Sequence, residues 1–259
     1  MKLLFIIGIG PGDPSQRTPA ADRALDAAKE LIGYGLYLDL LGERIAGKHC
    51  HRLPLGDEHA RARLALDRAA SGRKVALVSS GDAGIYAMAT LVFELLDRER
   101  STKWNDVAIE VVPGISALQA TASRAGAPLA HDFCTISLSD LLTPWETIVR
   151  RLHGAGSGDF VVALFNPVSR RRRWQLAQAR DILLDYRAAD TPTILGRNVS
   201  RAGEAVEIIQ LGELSPERVD MLTLIIVGNR ETRSVGPWVY TPRGYNLYDP
   251  LETGGAGRS

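Results

Sequence analysis

Along the chain, short apolar and β-branched runs alternate with longer segments whose apolar residues recur at helical spacing. The runs at 3–9, 74–79, 107–112, 133–138, 160–165, 193–195 and 221–227 predict strands. The segments 19–31, 58–70, 85–96, 145–152 and 174–188 predict helices. Such alternation predicts an α/β fold with mostly parallel sheets and helices packed against their faces. Val112-Pro113-Gly114, followed by an Ala/Ser-rich stretch to Pro128, reads as a hinge. The expected organisation is two α/β domains, 1–113 and 114–246, with a ligand cleft between them beyond the carboxyl ends of the strands. The Gly-rich residues 247–259 are expected to form a flexible tail.

Composition narrows the function classes. With 259 residues, 45% hydrophobic and 24% charged, the chain can bury a sizeable core without staples. A net charge of +1 provides no basic field for nucleic acid or anionic lipid. No apolar run approaches the roughly 20 residues a membrane-spanning helix needs. The apolar N-terminal run leads into Gly8-Ile9-Gly10-Pro11, so it reads as a strand and not a secretory leader, and a cytoplasmic location is expected. Cys50 and Cys134 lie far apart without a C-x-x-C partner, which argues against a disulfide scaffold or a cysteine zinc site.

Candidate chemistry concentrates at strand ends. Gly8-Ile9-Gly10-Pro11-Gly12-Asp13-Pro14 follows the first strand, and such a Gly/Pro turn lets a ligand approach bare backbone. A dinucleotide fingerprint would need glycine where Asp13 stands, Pro11 removes a backbone donor, and an acidic side chain repels pyrophosphate. Gly42 to Lys48 has P-loop spacing, but His49 replaces the magnesium-binding hydroxyl. His49-Cys50-His51 points its consecutive side chains to different sides of an extended chain, so no metal site is expected. Ser79-Ser80-Gly81-Asp82-Ala83-Gly84-Ile85-Tyr86 and Val112-Pro113-Gly114-Ile115-Ser116-Ala117 repeat the first loop's pattern of small residues after a strand. Asp82 alone reads equally well as a helix cap, but three such loops together point to one shared ligand.

GIGPGDP, SSGDAGIY and VPGISA, in this order, resemble the tetrapyrrole methylase family. His131 to Trp145, with SLSDLLTPW inside it, and Thr241-Pro242-Arg243-Gly244-Tyr245 resemble one branch, the precorrin-3B C-17 methyltransferases of cobalamin synthesis. Phe165-Asn166-Pro167, Gly196-Arg197-Asn198 and Thr223 to Asn229 fall where that branch has them, so the likeness runs from about Lys2 to Tyr245. The resemblance implies two α/β domains that hold S-adenosylmethionine in their cleft. Contacts are implied from Gly10, Pro11, Gly81, Asp82, Ala83, Ile85, Ser116 and Ala117 in the first loops. From the second domain they are implied from Phe165, Asn166, Arg197, Asn198, Thr223 and Leu224. It also implies a homodimer that methylates C-17 of precorrin-3B and contracts the ring to precorrin-4. The cobalt-containing substrate of the oxygen-independent route is the close alternative, although Gly196-Arg197-Asn198-Val199 looks more like the aerobic enzymes.

A precorrin carries acetate and propionate groups that guanidinium forks match. Arg170 and Arg173, in the only strong local charge run, are the substrate-clamp candidates, with Asp13 as a further substrate contact. A solvated helix start is the competing reading of that run. His131 and Asp132, in the branch signature, are the acid/base candidates. Methyl transfer to carbon is an in-line displacement that needs alignment and water exclusion more than a protein nucleophile, which suits a chain without a triad. A nucleotide-dependent oxidoreductase is disfavoured by Asp13. A non-catalytic tetrapyrrole carrier would be expected to lack one of the loops.

Overall fold

In the computed structural model, which describes residues 2–245, five strands of the first half form one parallel sheet. They are β1 (Leu3–Gly8), β2 (Glu30–Tyr34), β3 (His49–Leu53), β4 (Lys74–Ser79) and β5 (Ala108–Val112), in the order β3-β2-β4-β1-β5. The helices are α1 (Pro19–Ala27), α2 (Gly35–Asp39), α3 (Glu58–Ala70) and α4 (Met88–Glu99). β1 is buried along its whole length, as a strand covered on both faces must be. Leu4 and Ile6 join a core with α3 and α4, whereas Leu3, Phe5 and Ile7 join one with α1 and α2. The period-2 alternation of a strand thus feeds both faces.

Several boundaries differ from the sequence pattern, two of them for reasons the structure makes plain. The helix predicted to 31 stops at Ala27, and Leu31 and Ile32 instead enter opposite faces of the sheet in β2. A short apolar run has no period that separates helix from strand, and the neighbouring strands decide it. The helix predicted from 85 begins at Met88, because Tyr86 sits at φ 50°, outside helical geometry.

In the second half, α5 (Ala117–Ala125), β6 (Gly126–Ala127), β7 (Phe133–Ser137), α6 (Trp145–Ser157), β8 (Val161–Phe165) and α7 (Trp174–Leu184) come first. β9 (Pro192–Arg197), β10 (Ala205–Gln210), β11 (Thr223–Val227), β12 (Arg233–Val235) and β13 (Trp238–Tyr240) follow. The main sheet runs β10-β9-β11-β8-β7 and is mixed: β7 and β8 are parallel, while β8, β11, β9 and β10 pair antiparallel. α6 and α7 cover one face through Ile148, Leu152, Leu176 and Leu183. α5 covers the other, with Leu118 and Ala122 against Val161, Ala163 and Leu224. The Ala/Ser-rich stretch read as a hinge is therefore mostly this helix. Ser116 starts it with a capping box, its side chain accepting from the Leu118 N–H while Gln119 accepts from the Ser116 N–H. No helix among the described residues is long and apolar enough to cross a membrane. The residues read as a tail lie outside the described residues.

Candidate active site

β4, β1 and β5 are neighbours in the first sheet, so the three Gly-containing loops at their carboxyl ends meet. Gly10 and Gly81 exchange two backbone hydrogen bonds, of 3.1 and 2.7 Å. A side-chain carbon on Gly8 would stand 2.5 Å from the Gly81 carbonyl oxygen, so only hydrogen fits there. The Asp82 carboxylate closes the arrangement, accepting from the Gly84 N–H at 2.7 Å and from the Gly114 N–H at 3.0 Å. Asp82 thus ties the second loop to the third and does more than cap a helix.

These loops form one wall of a cleft of about 920 Å³. The other wall comes from the second half, at the carboxyl ends of β7, β8 and β9 and the amino end of β11. Of the residues implied to contact a cofactor, Pro11, Gly81, Asp82, Ile85, Ser116, Ala117, Phe165, Asn166, Asn198, Thr223 and Leu224 line the cleft. Among the described residues, three buried polar atoms there lack protein partners: Ser79 Oγ, Thr121 Oγ1 and Arg61 Nε. Buried polar groups are normally hydrogen-bonded, so these mark where a polar ligand would complete the site. The opposing walls are joined by Tyr86, whose hydroxyl donates to the Thr135 carbonyl at 3.0 Å and whose ring lies 5.1 Å from that of Phe165.

The Tetrapyrrole (Corrin/Porphyrin) Methylases family model matches residues 3–215. The chain belongs to the tetrapyrrole methylases. It is 44% identical over 250 residues, covering 93% of this chain and 96% of the other, to a precorrin-3B C(17)-methyltransferase of Sinorhizobium sp. It is 43% identical over 245 residues to a probable cobalt-factor III C(17)-methyltransferase of Salmonella typhimurium, covering 95% of this chain and all of that one. The crystal structure of the methyltransferase CobJ superimposes with a TM-score of 0.88 at 40% identity, over 93% of this chain and 99% of that one.

Several predicted site residues of this methylase lie outside the cleft lining. Gly10 serves the backbone tie to Gly81, and the Ala83 methyl is buried in the core under α3 and α4. Arg197 pairs with Asp220 at 2.6 Å. Asp13 caps the short turn that follows it, accepting from the Ser15 N–H at 2.8 Å, a bond that holds its carboxyl below the ordinary range. His131 and Asp132, the acid/base candidates, precede β7 and line a separate surface depression. The cleft meets the opposite end of that strand, at Thr135 and Ser137, and alternating strand residues cannot reach back along its length.

The arginine run also lies apart from the cleft lining. Residues 170–173 form a turn ahead of α7, not its first turn, and neither Arg170 nor Arg173 lines the cleft. Arg173 donates to the Pro216 carbonyl at 2.7 Å. The inward member is Arg172, buried and donating to the Leu138 carbonyl at 2.9 Å, so it braces the loop after β7. Arg170→Ala and Arg173→Ala are therefore expected to leave substrate KM within about half a kcal/mol of the unsubstituted chain, as surface changes do. A tenfold rise in KM for either would return them to the site.

Sequence reasoning also missed Tyr37, Arg61 and Arg201, all of which line the cleft. Arg201 lies three residues beyond the Gly196-Arg197-Asn198 string. His49 and His51 likewise converge, because residues two apart share a strand face. They stand with Glu30 so that their ligand-type atoms fall within 4.8 Å of one another. Arg68 and Arg73 already hold that carboxylate, and their charges oppose an added cation, so the cluster reads as an ion-pair network.

Proposed function

We propose that this methylase transfers a methyl group from S-adenosylmethionine to C-17 of precorrin-3B in cobalamin biosynthesis, with contraction of the ring to precorrin-4. The observation that carries this is 44% identity to a precorrin-3B C(17)-methyltransferase over nearly the full length of both chains. The cleft suits the donor: bare backbone at Gly81, small side chains at Ser116 and Ala117, and the open hydroxyls of Ser79 and Thr121. The lining residues named above are our donor and acceptor contacts. When bound, S-adenosylmethionine supplies an electrophilic methyl group on a sulfonium. The chain's own work is to align that methyl with the acceptor carbon and keep water away. Tyr86 and Phe165 serve this by closing one side of the cleft with aromatic surface. The macrocycle carbon supplies the electron pair, so no protein nucleophile is required.

We retain a division between residues 113 and 114, supported by the end of β5 at Val112 and by the packing of α5 against β8 and β11. A cytoplasmic homodimer completes the reading, and sedimentation of the purified chain tests the dimer.

Parallel titrations with S-adenosylmethionine and NAD test the donor. S-adenosylmethionine is expected to bind and NAD not to, since Pro11 and Asp82 suit a pyrophosphate poorly. The reverse result would return the oxidoreductase reading. Mass spectrometry of the product, with NMR of a label at C-20, tests the reaction. A methylated macrocycle that keeps C-20 in the ring would confine the protein to methyl transfer. Turnover of only a cobalt-containing substrate would favour the second reading, supported by the 43% identity to the Salmonella chain.

A further inference from the structure

Arg201 stands where the two halves touch. Its Nε donates to the Pro11 carbonyl at 2.6 Å and its Nη2 to Ser80 Oγ at 2.5 Å, so a side chain from the second half lies across two loops of the first. Gly12 leaves it room: a side-chain carbon there would sit 2.5 Å from Arg201 Cγ. Both acceptors are neutral. Among the described residues no carboxylate lies within 4.0 Å of this guanidinium, and Nη1 has no protein acceptor. Other arginines at or near the cleft differ, Arg61 being paired with Glu58 and Arg197 with Asp220. Arg151 also lines the cleft, but it is exposed and water can serve it.

A partly desolvated cation with neutral partners is costly unless an anion completes it. Burial indeed holds the guanidinium below its usual value, with the Tyr37 phenol opposing the shift. The anion is constrained by its surroundings, since Glu58, Asp82 and Glu94 line the same cleft and repel the concentrated charge of a polyphosphate more strongly than one carboxylate held at Arg201. A single carboxylate matches both the charge and the planar fork.

We propose that Arg201 is a carboxylate-binding residue of the cleft, where it pairs with an acid arm of the macrocycle or with the amino-acid carboxylate of the methyl donor. The inference rests on the methyltransferase reading and moves the clamp from Arg170 and Arg173 to a residue that neither composition nor charge clustering singled out.

The test uses Arg201→Met, which keeps the side chain's bulk beside Gly12, and Arg201→Lys, which keeps the charge without the fork. Ser200→Ala serves as the control for a purely mechanical role, because Ser200 Oγ bonds Gln16 across the same seam without touching the guanidinium. KM for precorrin-3B is measured with Kd for S-adenosylmethionine and for its decarboxylated form. At least a tenfold rise in KM for Arg201→Met, smaller for Arg201→Lys, with donor Kd unchanged, would place the carboxylate on the macrocycle. A tenfold rise in Kd for S-adenosylmethionine alone, the decarboxylated form being unaffected, would place it on the donor. KM and Kd all within twofold, equal weakening of both donor forms, or an equal effect of Ser200→Ala would overturn the proposal. Should Arg201→Met fail to fold, Arg201→Gln, which removes the charge but keeps a polar group beside the Pro11 carbonyl and Ser80, decides on the same readouts. Failure of the unsubstituted chain to bind S-adenosylmethionine would instead count against the methyltransferase reading.

Discussion

Gly114→Ala is expected to destabilise the chain by about 1–3 kcal/mol or more and to weaken S-adenosylmethionine binding at least tenfold. The added carbon would lie 2.2 Å from the Gly81 carbonyl oxygen and 2.6 Å from that of Gly8. Both neighbours are backbone, so no side chain can swing aside. Relief requires one of three loops to move, and those loops are tied by the Gly10–Gly81 bonds and by Asp82 bridging to the Gly114 N–H. Movement breaks ties on the wall of the cleft, so stability and binding should fall together. Gly84→Ala is the matched control, because its new carbon meets only Asp82 Oδ1, at 3.3 Å. Urea unfolding and calorimetric titration of both variants provide the check. Equal behaviour of the two would show that the three-loop junction is looser than its packing implies.

Glu30→Gln is expected to cost about 3 kcal/mol at neutral pH, the lower end for breaking a buried ion pair, because its cationic partners keep some solvent. The carboxylate is buried and accepts from Arg68 Nε and Nη2, both at 2.7 Å, with Arg73 Nη1 at 3.1 Å and His51 Nε2 at 3.1 Å. The Arg68 hydrogen bonds, working against burial, lower its pKa from the ordinary 4.5 to about 2. A carboxylate with a lowered folded-state pKa contributes stability that is fully present above 4.5 and is lost as the pH falls from there through about 2. The shift corresponds to about 2–3 kcal/mol once the partial exposure of the arginines is allowed for. Denaturant unfolding at pH 7 and near pH 3 should therefore show a larger acid loss in the unsubstituted chain than in Glu30→Gln. Parallel acid profiles would remove Glu30 from the acid response.

Local chemistry made the three loops legible. An apolar run ending in Gly, Pro and Asp states its own turn, and the strings GIGPGDP, SSGDAGIY and VPGISA carry the family likeness without reference to distant residues. The core of β1 was equally readable, since a strand buried on both faces is a continuous apolar run. The mixed pairing of the second sheet was not: Val161 to Phe165 reads alike whether its neighbour runs parallel or antiparallel, and β10 shows little burial to betray it.

Side-chain direction was the other missing quantity. The arginine run announced a cation but not that Arg172 turns inward while Arg173 reaches for Pro216. His131 and Asp132 shared a signature with Ser137 and Ser139, yet the strand between them carries the two pairs to opposite ends of the sheet. Arg201 had no local mark, because its meaning comes from Pro11 and Ser80, 190 and 121 residues away in the chain. The α/β class, the strand-end loops and the family are legible in the chain, because turns, burial periods and short strings are local. Strand direction, the joining of the two halves and the charged groups that face the cleft emerge only on folding, because they depend on contacts between distant residues and on the face each side chain is given.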